Sequence, residues 1–223
     1  MYKVAGYSFV GQRKKTNQDS CLAEVAVTPF GDTCLLAVCD GVGGLSAGEI
    51  ASSSVIRWLD EWFVETYPTL LEALHDDVDA LFGRVQSQWE SGLIELNAAL
   101  RSYGRTTSNQ LGTTFTAILF FHDHYVIGHV GDCRVYCFSR DGMSILTDDQ
   151  TWVAREMARG NITPEQARSH PKKNVILQSV GTQADIQPVF SRGGSPSKTS
   201  TWYVATGSET SCSMTSCRVP LAA

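Results

Sequence analysis

With 223 residues, 43% hydrophobic and 18% charged, the chain has ordinary globular composition and enough apolar material for one substantial core. A net charge of −5 leaves no basic excess to attract nucleic acid or an anionic membrane, so any phosphate-bearing ligand would have to be met by a few local cations or metals. The longest uncharged apolar run, Leu111 to Phe121, is too short to span a bilayer, and the first residues lack the basic-then-apolar pattern of a secretory signal.

Val4 to Val10, Cys21 to Val27 and Thr33 to Cys39 are short runs rich in Val, Leu and Ala, punctuated by Gly, Pro and Asp, and they read as strands. The period then changes. Ser46-Ala47-Gly48-Glu49 has the form of a capping box, and helical spacing behind it predicts a helix from about Ala47 to Glu65, stopped by Pro68. Leu70, Leu74, Val78, Leu81, Val85, Trp89, Leu93, Leu96 and Leu100 form one apolar face along a long core-facing helix, with Gly83 and Gly92 as weak points. Strand patterns return at Thr113 to Phe121, Tyr125 to Val130 and Arg134 to Phe138. Thr163-Pro164-Glu165-Gln166 starts a short helix that His170-Pro171 ends, and Val175 to Val180 and Ile186 to Phe190 read as further strands.

From Ser191 to Ala223 there are eight serines and five threonines, with one strand-like run at Thr201 to Ala205. The expectation is one domain over residues 1–190 and an atypical Ser/Thr-rich tail over 191–223, of loop or disorder. Strands, then helices, then strands give an α+β order rather than alternating βαβ units. Seven scattered cysteines, odd in number and without a Cys-x-x-Cys pair, read as small buried thiols in a reducing cytoplasm, not as a disulfide framework or structural zinc site.

Two segments carry candidate chemistry. Thr16-Asn17-Gln18-Asp19, preceded by Arg13-Lys14-Lys15, reads on its own equally well as a turn beside solvated cations. In Val38-Cys39-Asp40-Gly41-Val42-Gly43-Gly44 an apolar strand ends in a carboxylate followed by three glycines in four residues. An acid at a strand end is well placed to hold a hard cation, and glycines let backbone carbonyls approach it. The same residues also suit a plain Asp-Gly turn.

Taken in order, Asn17-Gln18-Asp19, Asp40-Gly41-Val42-Gly43-Gly44, Gly112-Thr113-Thr114 and Gly131-Asp132-Cys133-Arg134 resemble the type 2C, metal-dependent serine/threonine protein phosphatases. The stretch from Leu146-Thr147 through Gly160-Asn161-Ile162-Thr163, Ala167-Arg168, His170-Pro171 and Asn174-Val175 to Val180-Gly181 is similar to their bacterial branch, and the resemblance covers about residues 1 to 190. It implies a four-layer αββα sandwich of two antiparallel sheets flanked by helices, incomplete at the C-terminus. It implies two Mn²⁺ or Mg²⁺ ions, with Asp40 the bridging ligand, Gly41 a carbonyl donor, Asp19 a supporting acid and Asp132 at a third, looser position. Asp19 and Asp40 would be the catalytic acids, activating metal-bound water for direct attack on phosphoserine or phosphothreonine, and Arg13 would clamp the phosphate. The implied partners are phosphorylated proteins, the targets of a Ser/Thr kinase.

Several positions depart from the family pattern. The phosphate-gripping arginine's usual place holds Lys14, with Arg13 one residue earlier; Arg13 is preferred because lysine cannot copy a two-pronged grip. Gln18 stands where many members carry Glu, and Val42 replaces a histidine. His129 and His170 are better suited to core and turn roles than to acid catalysis. The family's Ser-Asp-Gly and terminal Asp-Asn motifs are missing, and no aspartate follows Asp185. One metal site is therefore expected to be weakened, and the alternative to an active phosphatase is an impaired relative that binds phosphoproteins or a regulator.

Overall fold

The strand Gly31–Asp40 is apolar at almost every position because it is buried on both faces. Its Leu35, Ala37 and Cys39 face a helical layer, while Cys34, Leu36 and Val38 face a second sheet. The computed structural model describes residues 2–10, 16–42, 47–194, 200–206 and 212–218. In chain order the elements are β1 (Lys3–Phe9), β2 (Asp19–Thr28), β3 (Gly31–Asp40), α1 (Gly48–Glu61), a π-helical turn (Trp62–Thr66), α2 (Tyr67–Leu74) and α3 (Val78–Thr107). There follow β4 (Phe115–Phe121), β5 (His124–Val130), β6 (Arg134–Ser139), β7 (Gly142–Ile145), α4 (Trp152–Ala158), α5 (Pro164–Ser169), β8 (Val189–Gly194), β9 (Thr201–Ala205) and β10 (Cys212–Arg218).

The strands form two five-stranded antiparallel sheets, β1-β10-β9-β6-β7 and β2-β3-β4-β5-β8. Between them lies one apolar cluster, where Ile118, Phe120 and Ile127 meet Val135, Cys137, Trp202 and Val204. On the other face of the second sheet, Phe115, Leu119 and Val126 pack against Val55 and Leu59 of α1 and Leu81, Val85 and Trp89 of α3. This is the α+β sandwich that the motifs implied. The outer face of the first sheet leaves Tyr7, Phe9, Phe138, Met143 and Ile145 exposed.

Element boundaries differ from the sequence expectation in instructive ways. Pro68 does not stop the first helix. The π-helical turn carries the chain on, and Pro68 follows it directly in the first turn of α2. The apolar periodicity from Leu70 to Leu100 belongs to two helices, because the chain breaks at His75–Asp77. There the Asp77 side chain accepts from the Ala80 amide at 2.9 Å and starts α3 afresh. Ser46, half of the proposed capping box of α1, lies outside the described residues. At α5 the capping box is complete: Thr163 Oγ1 accepts from Gln166 N at 3.3 Å and Gln166 Oε1 from Thr163 N at 2.8 Å.

Val175 to Val180 forms no strand. It makes only isolated bridges, Thr151 to Ile176 and Thr113 to Val180, at which the sheets and loops are tied together. The serine-rich segment supplies part of β8 and all of β9 and β10. β10 lies between β1 and β9, and Trp202 on β9 is fully buried with its ring 5.2 Å from Phe120 and 5.0 Å from Tyr125.

Candidate active site

The paired β2 and β3 bring two acids to one end of the second sheet: Asp19 opens β2 and Asp40 closes β3, and the two are direct register partners. Both are buried to more than nine-tenths, at 7% and 8% exposure. Their backbones are held independently of their carboxylates. Asp40 N donates to Thr114 Oγ1 at 2.8 Å, while Thr114 N and Thr113 Oγ1 donate to the Asp40 carbonyl at 2.9 and 3.1 Å. Asp19 N donates to Asn17 Oδ1 at 3.1 Å, closing the local turn.

Gly41 is wedged beside this pair. Its N–H donates to the Gln18 carbonyl at 3.0 Å, and that carbonyl also accepts from Ser52 Oγ at 2.7 Å, so β2, β3 and α1 meet at one oxygen. Gln18 extends its amide toward Glu49 at 3.4 Å. Val42 N donates to the Gly112 carbonyl at 2.9 Å, and Thr113 pairs with Val180 on its other side through bonds of 3.0 and 2.8 Å. The Gly112-Thr113-Thr114 motif, to which the sequence assigned no role, is the bracket that fixes the end of β3.

Asp132 comes from the turn between β5 and β6. Gly131 there has φ +113°, and a Cβ on it would lie 2.5 Å from the Thr114 methyl, so the same threonine orders both turns. Asp132 Oδ1 is buried without a hydrogen-bond partner in the structure. Burial raises the Asp132 carboxyl above the usual range, the Asp149 charge adds to this, and Arg134 partly offsets it. Asp149 itself is forked onto Arg134, with Arg134 Nε donating to its Oδ1 at 2.7 Å and Nη2 to Oδ2. Burial, followed by the charges of Asp40 and Asp132, pushes the Cys133 thiol far up, so no soft thiolate is available beside the acids.

The donors at this end are thus hard oxygens, carboxylate and carbonyl, the chemistry suited to Mg²⁺ or Mn²⁺ rather than to zinc or copper. Among the described residues no group of three or more His, Cys, Asp or Glu side chains is gathered closely enough to hold a metal ion. Asp19 and Asp40 are brought together with Gly41, whereas Asp132 comes from the separate turn between β5 and β6. Arg13 and Lys14 lie outside the described residues.

The two histidines have structural partners. His129 is buried, with Nδ1 2.8 Å from Thr116 Oγ1 and Nε2 3.1 Å from the Asp148 carbonyl. A carbonyl can only accept, so Nε2 carries the proton and the Thr116 hydroxyl donates to Nδ1. His170 stacks on Trp152 at 4.5 Å and accepts from Lys172 N at 3.1 Å. Among the residues that sequence reasoning missed is Asn97, buried on α3. Its Oδ1 accepts from Gly181 N at 2.8 Å and its Nδ2 donates to the Gln183 carbonyl at 3.0 Å, seating the Val180-Gly181 loop. A polar residue on an otherwise apolar helix face was the signal for it.

A double-sheet sandwich with acids at one end is the architecture of a class of phosphatases. Residues 10–183 match the family model described as protein phosphatase 2C, and the chain belongs to that family. Protein phosphatase PhpP of Streptococcus pneumoniae is 29% identical over 183 residues, which cover 81% of this chain and 68% of PhpP. The solved serine/threonine phosphatase of S. agalactiae superposes with a TM-score of 0.82 at 21% identity, over 98% of this chain and 100% of that one. The catalytic domain of the serine/threonine protein phosphatase PstP, solved in complex with two manganese ions, superposes with a TM-score of 0.68 at 22% identity, over 98% of each chain.

Proposed function

We propose that the chain hydrolyses phosphoserine and phosphothreonine esters in proteins, with Mn²⁺ or Mg²⁺ held by Asp19, Asp40 and the Gly41 carbonyl and with Asp132 at a further, looser position. The observation that carries the reading is the register pairing of Asp19 with Asp40 beside Gly41, within the span that matches the family. The orphaned Oδ1 of Asp132 supports it, because a buried carboxylate oxygen without a donor is relieved by a cation. So do the names of the serine/threonine phosphatase relatives and the two manganese ions in PstP. Bound there, the cation supplies positive charge to the phosphoryl oxygens and water of lowered pKa.

The chain's own residues set the stage for that chemistry. Thr113 and Thr114 occupy the backbone of Asp40, which fixes the strand end from which its carboxylate projects. Arg13 grips the phosphate as a two-pronged donor, with Lys14 as the substitute point charge. The substrates are proteins modified by a Ser/Thr kinase. Five cysteines with free thiols, and no described helix long and apolar enough to cross a membrane, support a reducing, cytoplasmic setting.

The test is manganese-dependent turnover of p-nitrophenyl phosphate and a phosphothreonine peptide, with Asp40→Ala beside the parent chain. Asp40→Ala should lower kcat/KM about 100-fold or more, the several kcal/mol that a Lewis-acidic cation supplies. Titration calorimetry should show Mn²⁺ uptake that Asp40→Ala weakens. Folded protein with no uptake, or with uptake indifferent to that substitution, overturns the reading. The comparisons lend no support to the binding-only alternative.

A further inference from the structure

A cavity of about 500 Å³ opens at the C-terminal end of α3, and two arginines line it. Arg101 and Arg105 are one helical turn apart and therefore project from the same face. Around them stand Ser108, Gln110, Leu111 and Thr182, so the walls mix polar and apolar groups, and the lining includes no carboxylate. Among the described residues Arg101 and Arg105 form no ion pair, so both charges are open to a ligand. In a chain of net charge −5, two arginines that line one cavity with no carboxylate beside them make a locally basic site. The negative end of the α3 dipole favours a cation in its last turn and so accounts for Arg105. It does not account for a second arginine directed at the same space.

The cavity is tied to the acid pair by two stretches of chain. Leu111 lines it, the Gly112 carbonyl next in sequence accepts from Val42 N, and Thr113 and Thr114 hold Asp40. On the other wall, Gly181 and Thr182 follow Val180, which pairs with Thr113. From Leu111 to Thr114 the backbone reaches at most about 11 Å. An extended peptide rises about 3.3 Å per residue, so no more than three or four residues are needed to run alongside this stretch.

We propose that this cavity is a docking subsite for an anionic side chain of the phosphoprotein substrate, a carboxylate or a second phosphate, three or four positions from the residue being dephosphorylated. The proposal rests on the phosphatase reading above and names a substrate preference for the same site. Two forked guanidinium groups match the paired oxygens of a carboxylate or phosphate, and they outweigh the half-charge of the helix end that an anion would also meet. A volume of about 500 Å³ is within the range of ligand pockets.

The test is fluorescence anisotropy of the full chain with peptides carrying a non-hydrolysable phosphonate in place of phosphothreonine. One peptide has alanine flanks, one has glutamate three and four positions to either side, and one has a second phosphothreonine at those positions. An acidic peptide should bind about tenfold tighter than the alanine-flanked one, and Arg101→Ala/Arg105→Ala should abolish the difference. Arg101→Lys/Arg105→Lys should keep part of it, because the charge remains and the fork is lost. Which anion shows the larger preference distinguishes carboxylate from phosphate. No preference for either acidic peptide, or a preference that survives the double alanine variant with its circular dichroism intact, overturns the proposal. Manganese-dependent turnover of p-nitrophenyl phosphate reports on the phosphatase reading alone, since that ester has no flanking chain to reach the cavity.

Discussion

At Gly41 the constraint is space rather than backbone conformation. A Cβ there would lie 2.6 Å from the Gln18 carbonyl oxygen and 2.8 Å from both the Gln18 Cβ and the Gly48 carbonyl carbon. Backbone cannot give way as a side chain can, so Gly41→Ala must push β3 away from β2 and α1 at the level of the two acids. We expect it to cost on the order of 1–3 kcal/mol in urea unfolding, as overpacking does, and to lower phosphatase turnover along with stability. His129 makes a different demand. Burial lowers its pKa, and contacts with the Asp148 carbonyl and nearby acids only partly offset this. A group held neutral in the folded chain binds fewer protons than in the unfolded chain once the pH drops below its ordinary value of about 6.5. Stability should therefore fall as pH decreases from about 7 toward 5, and be fully present above that window. His129→Gln, which cannot titrate, should flatten this slope in urea midpoints measured from pH 8 to 5. An unchanged slope would assign the acid sensitivity to other groups.

At the scale of elements, two of the three glycines in α3, Gly83 and Gly92, have opposite consequences. Gly92 lets Trp58 of α1 lie against the helix: a Cβ there would meet the indole ring at 2.2 Å. At Gly83 the nearest atom to such a Cβ is the Arg192 guanidinium at 3.8 Å. Helix propensity alone favours alanine at both by about 1 kcal/mol. We expect Gly83→Ala to raise the free energy of unfolding in urea by roughly that amount and Gly92→Ala to lower it; equal effects would show that the contact with Trp58 yields freely. The sequence showed both glycines as weak points and could not rank them, because the difference lies in a neighbour more than thirty residues away. The same limit governs the site. Asp40 and Gly41 were legible as a strand end, and the apolar run before them fixed a buried strand. That Asp19 faces Asp40 depends on the register of β2 with β3, and that Thr113 and Thr114 bracket Asp40 depends on β4 lying on the other side. The short elements β7 and α4 escaped detection because four and seven residues give too little periodicity. Pro68 misled because its meaning depends on whether the helix is ending or restarting.

For the molecule as a whole, the first sheet depends on its last strand. Among the described residues β1 has no strand partner except β10, with register pairs running from Lys3–Arg218 to Phe9–Cys212, and β10 in turn joins it to β9. The two elements farthest apart in sequence thus close one sheet, while Asp19, Asp40 and Thr114 are anchored in the other. A chain ending at Thr206 would keep β9, with Trp202 still set against Phe120 and Tyr125, and would leave β1 without a ladder. At about 0.5–1.5 kcal/mol for each net hydrogen bond, the loss should exceed roughly 3 kcal/mol. Hydrogen exchange should rise sharply in residues 3–9 and change little in β3, β4 and α3, and the freed edge should promote association at high protein concentration. Because the paired acids belong to the sheet that stays intact, calorimetric uptake of Mn²⁺ should survive in the truncated chain under conditions where it remains folded. Unaltered exchange in residues 3–9 would mean that β10 does not hold β1 in solution. Loss of metal uptake from a folded truncated chain would mean instead that the last strand reaches the site itself.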